Sequence, residues 1–119
     1  MGPQDRASEK RVSPRIPVTL TAHCRIGTRH LKDAVVDLSQ GGLYLETREA
    51  APVGTPVRLA LALPAAGGAD ICTLVGAVAR RELDARGRQK GLGVAFAEAE
   101  MEPSHWRSLS GFLSSARRS

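Results

Sequence analysis

The chain has 119 residues, 42% of them hydrophobic and 24% charged, which fits one water-soluble domain built around a single core. No apolar run approaches the roughly 20 residues of a membrane-spanning helix, and the first residues are polar rather than a secretory leader, so the cytoplasm is the expected compartment. The formal net charge of +5, carried mostly by arginine, favours anionic partners; Arg suits bidentate recognition of phosphate or guanine edges, although an arginine bias also follows from a GC-rich genome.

Residues 1–9 read as a flexible tail, and the polar, aperiodic stretch continues to about Pro14. A β-rich unit that includes an arginine-bearing entry segment is expected over 10–100, and a helix with a short tail over 101–119. From Pro17 the pattern has period two. Val18, Leu20, Ala22, Cys24 and Ile26 alternate with polar residues as a half-buried strand. Gly27-Thr28 is a two-residue hairpin signal, and His30 to Leu38 is the second strand, centred on Val35 and Val36. Pairing Ile26 with Arg29 places Arg15 opposite Gln40.

Gly41-Gly42 breaks the second strand, and Gly42 to Thr47 forms the third. Ala51 to Pro56 is loop by its Pro and Gly content, and Val57, Leu59, Leu61 and Leu63 define strand four. Pro64 to Gly68 reads as a loop of small residues, Ile71 to Arg81 as strand five, and Gly91 to Ala97 as strand six after a charged turn. Six short strands with such connections predict an antiparallel barrel or sandwich, with closure removing exposed edges. Pro103 then opens a helix of about 12 residues whose apolar face carries Trp106, Leu109, Phe112 and Leu113. A helix of that length is marginal alone and must dock.

Two polar clusters stand one hairpin apart. Arg11 and Arg15 flank Val-Ser-Pro; Pro14 and Pro17 argue against a helix there, so the pair belongs to an extended loop entering strand one. Asp37, Ser39, Gly41 and Gly42 lie where strand two ends. Each pattern has a plain reading, the first as a solvated basic tail and the second as turn capping with glycines for positive φ. A hairpin returns to its start, however, and brings the two clusters together. Arg80, Arg81 and Lys90 fall at the end of strand five and the start of strand six, as solvated charge or within reach of the same corner.

Cys24 and Cys72 sit in apolar patterns as small buried hydrophobes, and His23, His30 and His105 have no metal-ligand spacing, so no metal is expected. No relay or nucleophile elbow is evident, and an enzyme is not expected. Aromatic residues are 3%, and Tyr44, Phe96, Trp106 and Phe112 fall at core-like positions, which argues against base-stacking recognition of nucleic acid.

At these residues the chain resembles the PilZ domain, a bacterial receptor for cyclic di-GMP. Arg11 and Arg15 match its RxxxR pattern, with Lys10 adding charge before it. Asp37, Ser39 and Gly42 match DxSxxG, and Gly91-Leu-Gly-Val-Ala-Phe96 is similar to its glycine-containing late strand. The resemblance spans roughly Lys10 to Ala97. It implies a six-stranded antiparallel β-barrel with one C-terminal α-helix, an arginine loop that orders over cyclic di-GMP, and output through a partner protein in motility or polysaccharide control. Arg11, Arg15, Asp37, Ser39, Gly41 and Gly42 are the implied ligand residues, with Lys10, Arg80 and Arg81 as further contacts. No other cofactor, specific nucleic acid or membrane insertion is expected. The alternative is an adaptor of the same fold acting by protein contacts alone.

Overall fold

Gly27 adopts a φ of 60°, a left-handed conformation that glycine takes without steric cost, and with Thr28 it turns β1 (Ile16–Ile26) back into β2 (Arg29–Leu38). Ile26 faces Arg29 as expected. The computed structural model describes residues 14–118; the N-terminal tail with Lys10 and Arg11 lies outside the described residues. β3 (Gly42–Glu46), β4 (Pro56–Ala65), β5 (Gly68–Leu83) and β6 (Gln89–Phe96) follow. The antiparallel strands close into a barrel in the order β1-β2-β3-β6-β5-β4, so sheet closure removes the free edges that a small β protein must otherwise protect.

Inward positions carry the alternating apolar residues. Ala22, Val35, Leu43, Leu45, Leu74 and Leu92 have no exposed surface. Cys24 and Cys72 are free and buried among them. β4 and β5 extend to Ala65 and Gly68, so the expected loop from Pro64 to Gly68 contracts to the Ala66-Gly67 turn. Backbone pairing continues here beyond the apolar pattern, because ladder hydrogen bonds do not require buried side chains.

The expected pairing of Arg15 with Gln40 does not occur. The register set by Ile26 and Arg29 holds to Leu20 and Val35, then shifts so that Pro17 faces Asp37 and Ile16 faces Leu38. Pro17 has no N–H for the ladder, and two residues of β1 oppose the single Val36 of β2. Against β3 the extra residue lies instead on β2 and is Val36, since Val35 pairs with Leu45 and Asp37 with Tyr44. This bulge lets Val35 and Leu38 both face the core and turns Asp37 outward.

A 3₁₀ turn at Glu98–Glu100 leads into α1 (Pro103–Arg118), 16 residues long and therefore longer than its apolar stripe predicts. β4 meets β1 only over Ala22–Ile26, and β6 reaches β5 only from Gly76 onward. The strands are splayed at that end, and α1 packs across β5, β4 and β1. Leu109 and Leu113 are buried there; Trp106 and Phe112 pack against the core from its margin. The Thr73 amide has no strand neighbour on that side and donates to His105 Nδ1 at 3.3 Å.

Candidate functional site

Arg15 at the entry to β1 and Asp37 on β2 form an ion pair, Nη1 to Oδ1 2.6 Å, with side chains 48% and 28% exposed. The one-residue register shift makes the contact. With the unshifted pairing Asp37 would turn toward the core and Arg15 would pass it. The acidic corner and the basic entry segment therefore meet, as the hairpin argument requires, through a different pair of neighbours.

The corner itself is built by Ser39. Its amide donates to the Gly42 carbonyl at 2.9 Å, its hydroxyl donates to the same carbonyl at 3.1 Å, and it accepts from the amides of Gly41 at 3.3 Å and Gly42 at 3.2 Å. Ser39 is buried, and its hydroxyl is committed to the turn. The two glycines differ. A Cβ on Gly42 would run into the Val94 carbonyl oxygen of β6, whereas one on Gly41 would meet nothing. Gly42 is thus required for close strand approach, and Gly41 is exposed backbone at the cleft. The Gly41 carbonyl accepts from the Phe96 amide at 2.9 Å, and Gln40 Nε2 donates to Ser110 Oγ at 2.7 Å, tying the corner to β6 and to α1.

A second bulge works on the far side. Val78 pairs with Val94 and Arg80 with Gly93, leaving Ala79 as the extra residue of β5. The kink turns Arg80 outward across Gly93, where a Cβ would press on the Arg80 stem. Asp37, Tyr44, Gly93 and Arg80 form one row across four strands. Arg80 Nε donates to Glu82 Oε2 at 3.1 Å. Tyr44 stands outside the core, against expectation, and lies over Gly91. Burial raises its phenol above the ordinary value, and Glu82 and Glu46 add to this.

Between these elements lies a cleft of about 700 Å³, lined by Arg15, the Ser39–Gly42 corner, Arg80, the 93–96 segment of β6, Glu98 and Trp106. Asp37 faces an adjoining groove of about 360 Å³, shared with Tyr44, Glu46, Arg80, Glu82 and Lys90. Arg80 borders both. Arg81 borders neither, its Nε donating instead to Gln89 Oε1 at 3.1 Å. The cleft combines two guanidinium groups, open backbone at Gly41 and two aromatic faces. That set suits a ligand with phosphates and flat bases. Phe96 and Trp106, expected in the core, are half-buried and present one side to the cleft. Among the described residues no group of His, Cys, Asp and Glu could hold a metal ion, and no helix is long and apolar enough to cross a membrane.

The model of the PilZ domain matches residues 9–113. This chain belongs to the PilZ domain family. PilZ domains are ligand-binding regulatory domains. The fold is similar to that of the Bacillus subtilis inhibitor of motility MotI/DgrA, at 14% identity and a TM-score of 0.76, covering 91% of this chain and 51% of that one. The chain therefore spans about half of that protein's length. It is also similar to the PilZ domain of Escherichia coli YcgR, solved with c-di-GMP, at 17% identity, a TM-score of 0.62 and 92% coverage of both chains. The PilZ domain of CeSA from a cellulose-synthesizing bacterium gives 21% identity, a TM-score of 0.61, and 88% and 99% coverage. No curated protein sequence matches this chain.

Within this PilZ domain, sequence reasoning missed Gln40, Phe96, Glu98 and Trp106 as cleft residues. Trp106 sits on the apolar stripe of α1, and the stripe alone does not say that its margin overhangs a cleft. The signal available was positional: β3 begins at the acidic corner, so whichever strand pairs with its first residue must line the same site.

Proposed function

We propose that this PilZ domain is a receptor for cyclic di-GMP that passes the signal to a partner protein. The observation that carries the reading is the Arg15–Asp37 ion pair at the mouth of the cleft, in a chain whose family includes a domain solved with that nucleotide. Arg15 and Arg80 provide forks for phosphate or for guanine O6 and N7. A carboxylate at Asp37 complements guanine N1–H and N2–H. Gly41 lets backbone approach the nucleotide, and Phe96 and Trp106 offer planes for base stacking. Arg11, with Lys10, joins the site when the entry segment closes over the ligand, and that ordering costs a few kcal/mol of binding energy, as suits a reversible switch. Ser39 acts by holding the corner. Output in motility or polysaccharide control is the reading supported by the similarity to the inhibitor of motility MotI and to the PilZ domain of CeSA from a cellulose-synthesizing bacterium.

Calorimetric titration with cyclic di-GMP, with GMP as control, tests this. Saturable heat with cyclic di-GMP and none with GMP is expected, and the same titration counts the nucleotides bound. Absence of heat with cyclic di-GMP would favour the adaptor that acts by protein contacts alone.

A further inference from the structure

On the side of the barrel away from the cleft, three strands present arginine, lysine and histidine side chains in register. Arg25 of β1 faces His30 of β2 on one side and Arg58 of β4 on the other, and two residues back His23 faces Lys32. All five are exposed. Cross-strand neighbours lie about 5 Å apart and successive outward residues about 7 Å apart, so five nitrogen-bearing side chains share roughly 10 Å by 7 Å of surface. Like charges placed directly opposite one another destabilise a sheet, and Arg25 and Arg58 are such a pair. Nothing on these strands relieves them. Arg25, Lys32 and Arg58 form no ion pair among the described residues. Arg25 Nε donates to the Gly27 carbonyl at 3.3 Å, which orients the guanidinium without neutralising it. Asp33 pairs with buried Ala22 on the alternate face of β2, and Glu49 is engaged by Arg29 at 3.7 Å. A groove of about 570 Å³ runs through the patch, lined by His23, Arg25, His30, Lys32, Arg58 and Thr73 among others.

We propose that this face docks an acidic segment of a partner protein, with carboxylates seated on Arg25, Arg58 and Lys32. Charge complementarity selects an anion, and the surface selects its kind. No Phe, Tyr or Trp lines the groove to stack a base, and among the described residues no helix stands on it to enter a duplex groove. The large exposed hydrophobics Val53, Ile71 and Leu83 lie outside it, so it offers little to a bilayer interior. The patch shares no lining residue with the cleft, and Arg25 is ten residues along β1 from Arg15, about 30 Å of strand. Partner and nucleotide therefore occupy separate surfaces.

The test uses a fluorescein-labelled octaglutamate peptide, read by anisotropy at several salt concentrations. The wild-type chain is expected to bind it with steep salt dependence. Arg25→Glu/Arg58→Glu is expected to lose at least about tenfold in affinity, while the charge-matched Arg86→Glu/Arg107→Glu stays within about twofold. Arg25→Gln/Arg58→Gln, which adds no repulsion, shows a smaller loss in the same direction and serves if the reversal variant melts early. Equal losses in the patch and control variants would overturn the proposal. So would tighter binding of a DNA duplex or of phosphatidylglycerol vesicles through the same residues. Cyclic di-GMP affinity is measured on the same variants and is expected to be unchanged, which separates failure of this proposal from failure of the receptor reading.

Discussion

Arg15 and Asp37 lie 22 positions apart in the chain and touch at 2.6 Å because β2 carries one residue more than its neighbour β3 needs. The bulge at Val36 exposes the carboxylate, and the shifted register brings the guanidinium to it. An exposed pair of this kind contributes at most about 1 kcal/mol to folding, since solvent screens it and both side chains lose freedom. Arg15→Ala and Asp37→Ala should therefore leave the melting temperature nearly unchanged. Each should weaken cyclic di-GMP binding about tenfold to a hundredfold, the worth of one or two charge-assisted hydrogen bonds. Thermal unfolding beside calorimetry on both variants checks the separation, and unaltered affinity in either would remove that residue from the site.

The two glycines of the corner should part company on substitution. Gly42→Ala drives a methyl group into the Val94 carbonyl and should cost about 1–3 kcal/mol, because backbone on both sides must move. Gly41→Ala meets open space, and its stability in urea should match the wild type. Its effect, if cyclic di-GMP approaches that backbone, should appear in affinity instead.

Much of this was legible beforehand. Alternation from Val18 to Ile26, the Gly27-Thr28 turn and the switch of period at Pro103 follow from side chains that must be inside or outside, and periodicity reports that directly. The bulges at Val36 and Ala79 were not legible. A bulge is chosen by the balance of neighbouring strands, and Val-Val or Ala-Arg carries no local mark of it. Arg80 and Arg81 look equivalent in sequence for the same reason; only the kink sends one across Gly93 toward the cleft and the other toward Gln89. Trp106 illustrates a third limit, since an amphipathic stripe gives a helix face but not what its margin overhangs.

α1 holds the splayed end of the barrel together through Leu109, which has no exposed surface. Leu109→Ala should destabilise by about 2–5 kcal/mol, the usual range for a buried leucine whose cavity cannot collapse. Urea denaturation measures it. The same substitution should also lower nucleotide affinity modestly, because α1 carries Trp106 and receives Gln40 at Ser110.

Alkaline pH should expose the buried thiols. Burial, reinforced by Asp33, pushes the Cys24 thiol up to about 11 from its ordinary 9.0. Between those values the unfolded chain gives up the proton while the folded one keeps it, so the folded state binds more protons and stability falls as pH rises. The loss from this group is on the order of 2 kcal/mol, spread from about pH 9 to about pH 11. Cys72 and Tyr44, also raised mainly by burial, act in the same direction. Cys24→Ala should flatten the decline in urea midpoint over this window, and an identical slope in both proteins would contradict the assignment.

The most direct test of the account is where cyclic di-GMP seats. In an amide and indole chemical-shift titration of the wild-type chain, the largest changes should fall at Arg15, Ser39–Gly42, Gly93–Phe96 and the Trp106 side chain, with Arg25, His30 and Arg58 still. Saturable changes confined to other strands, or none at millimolar nucleotide, would contradict it.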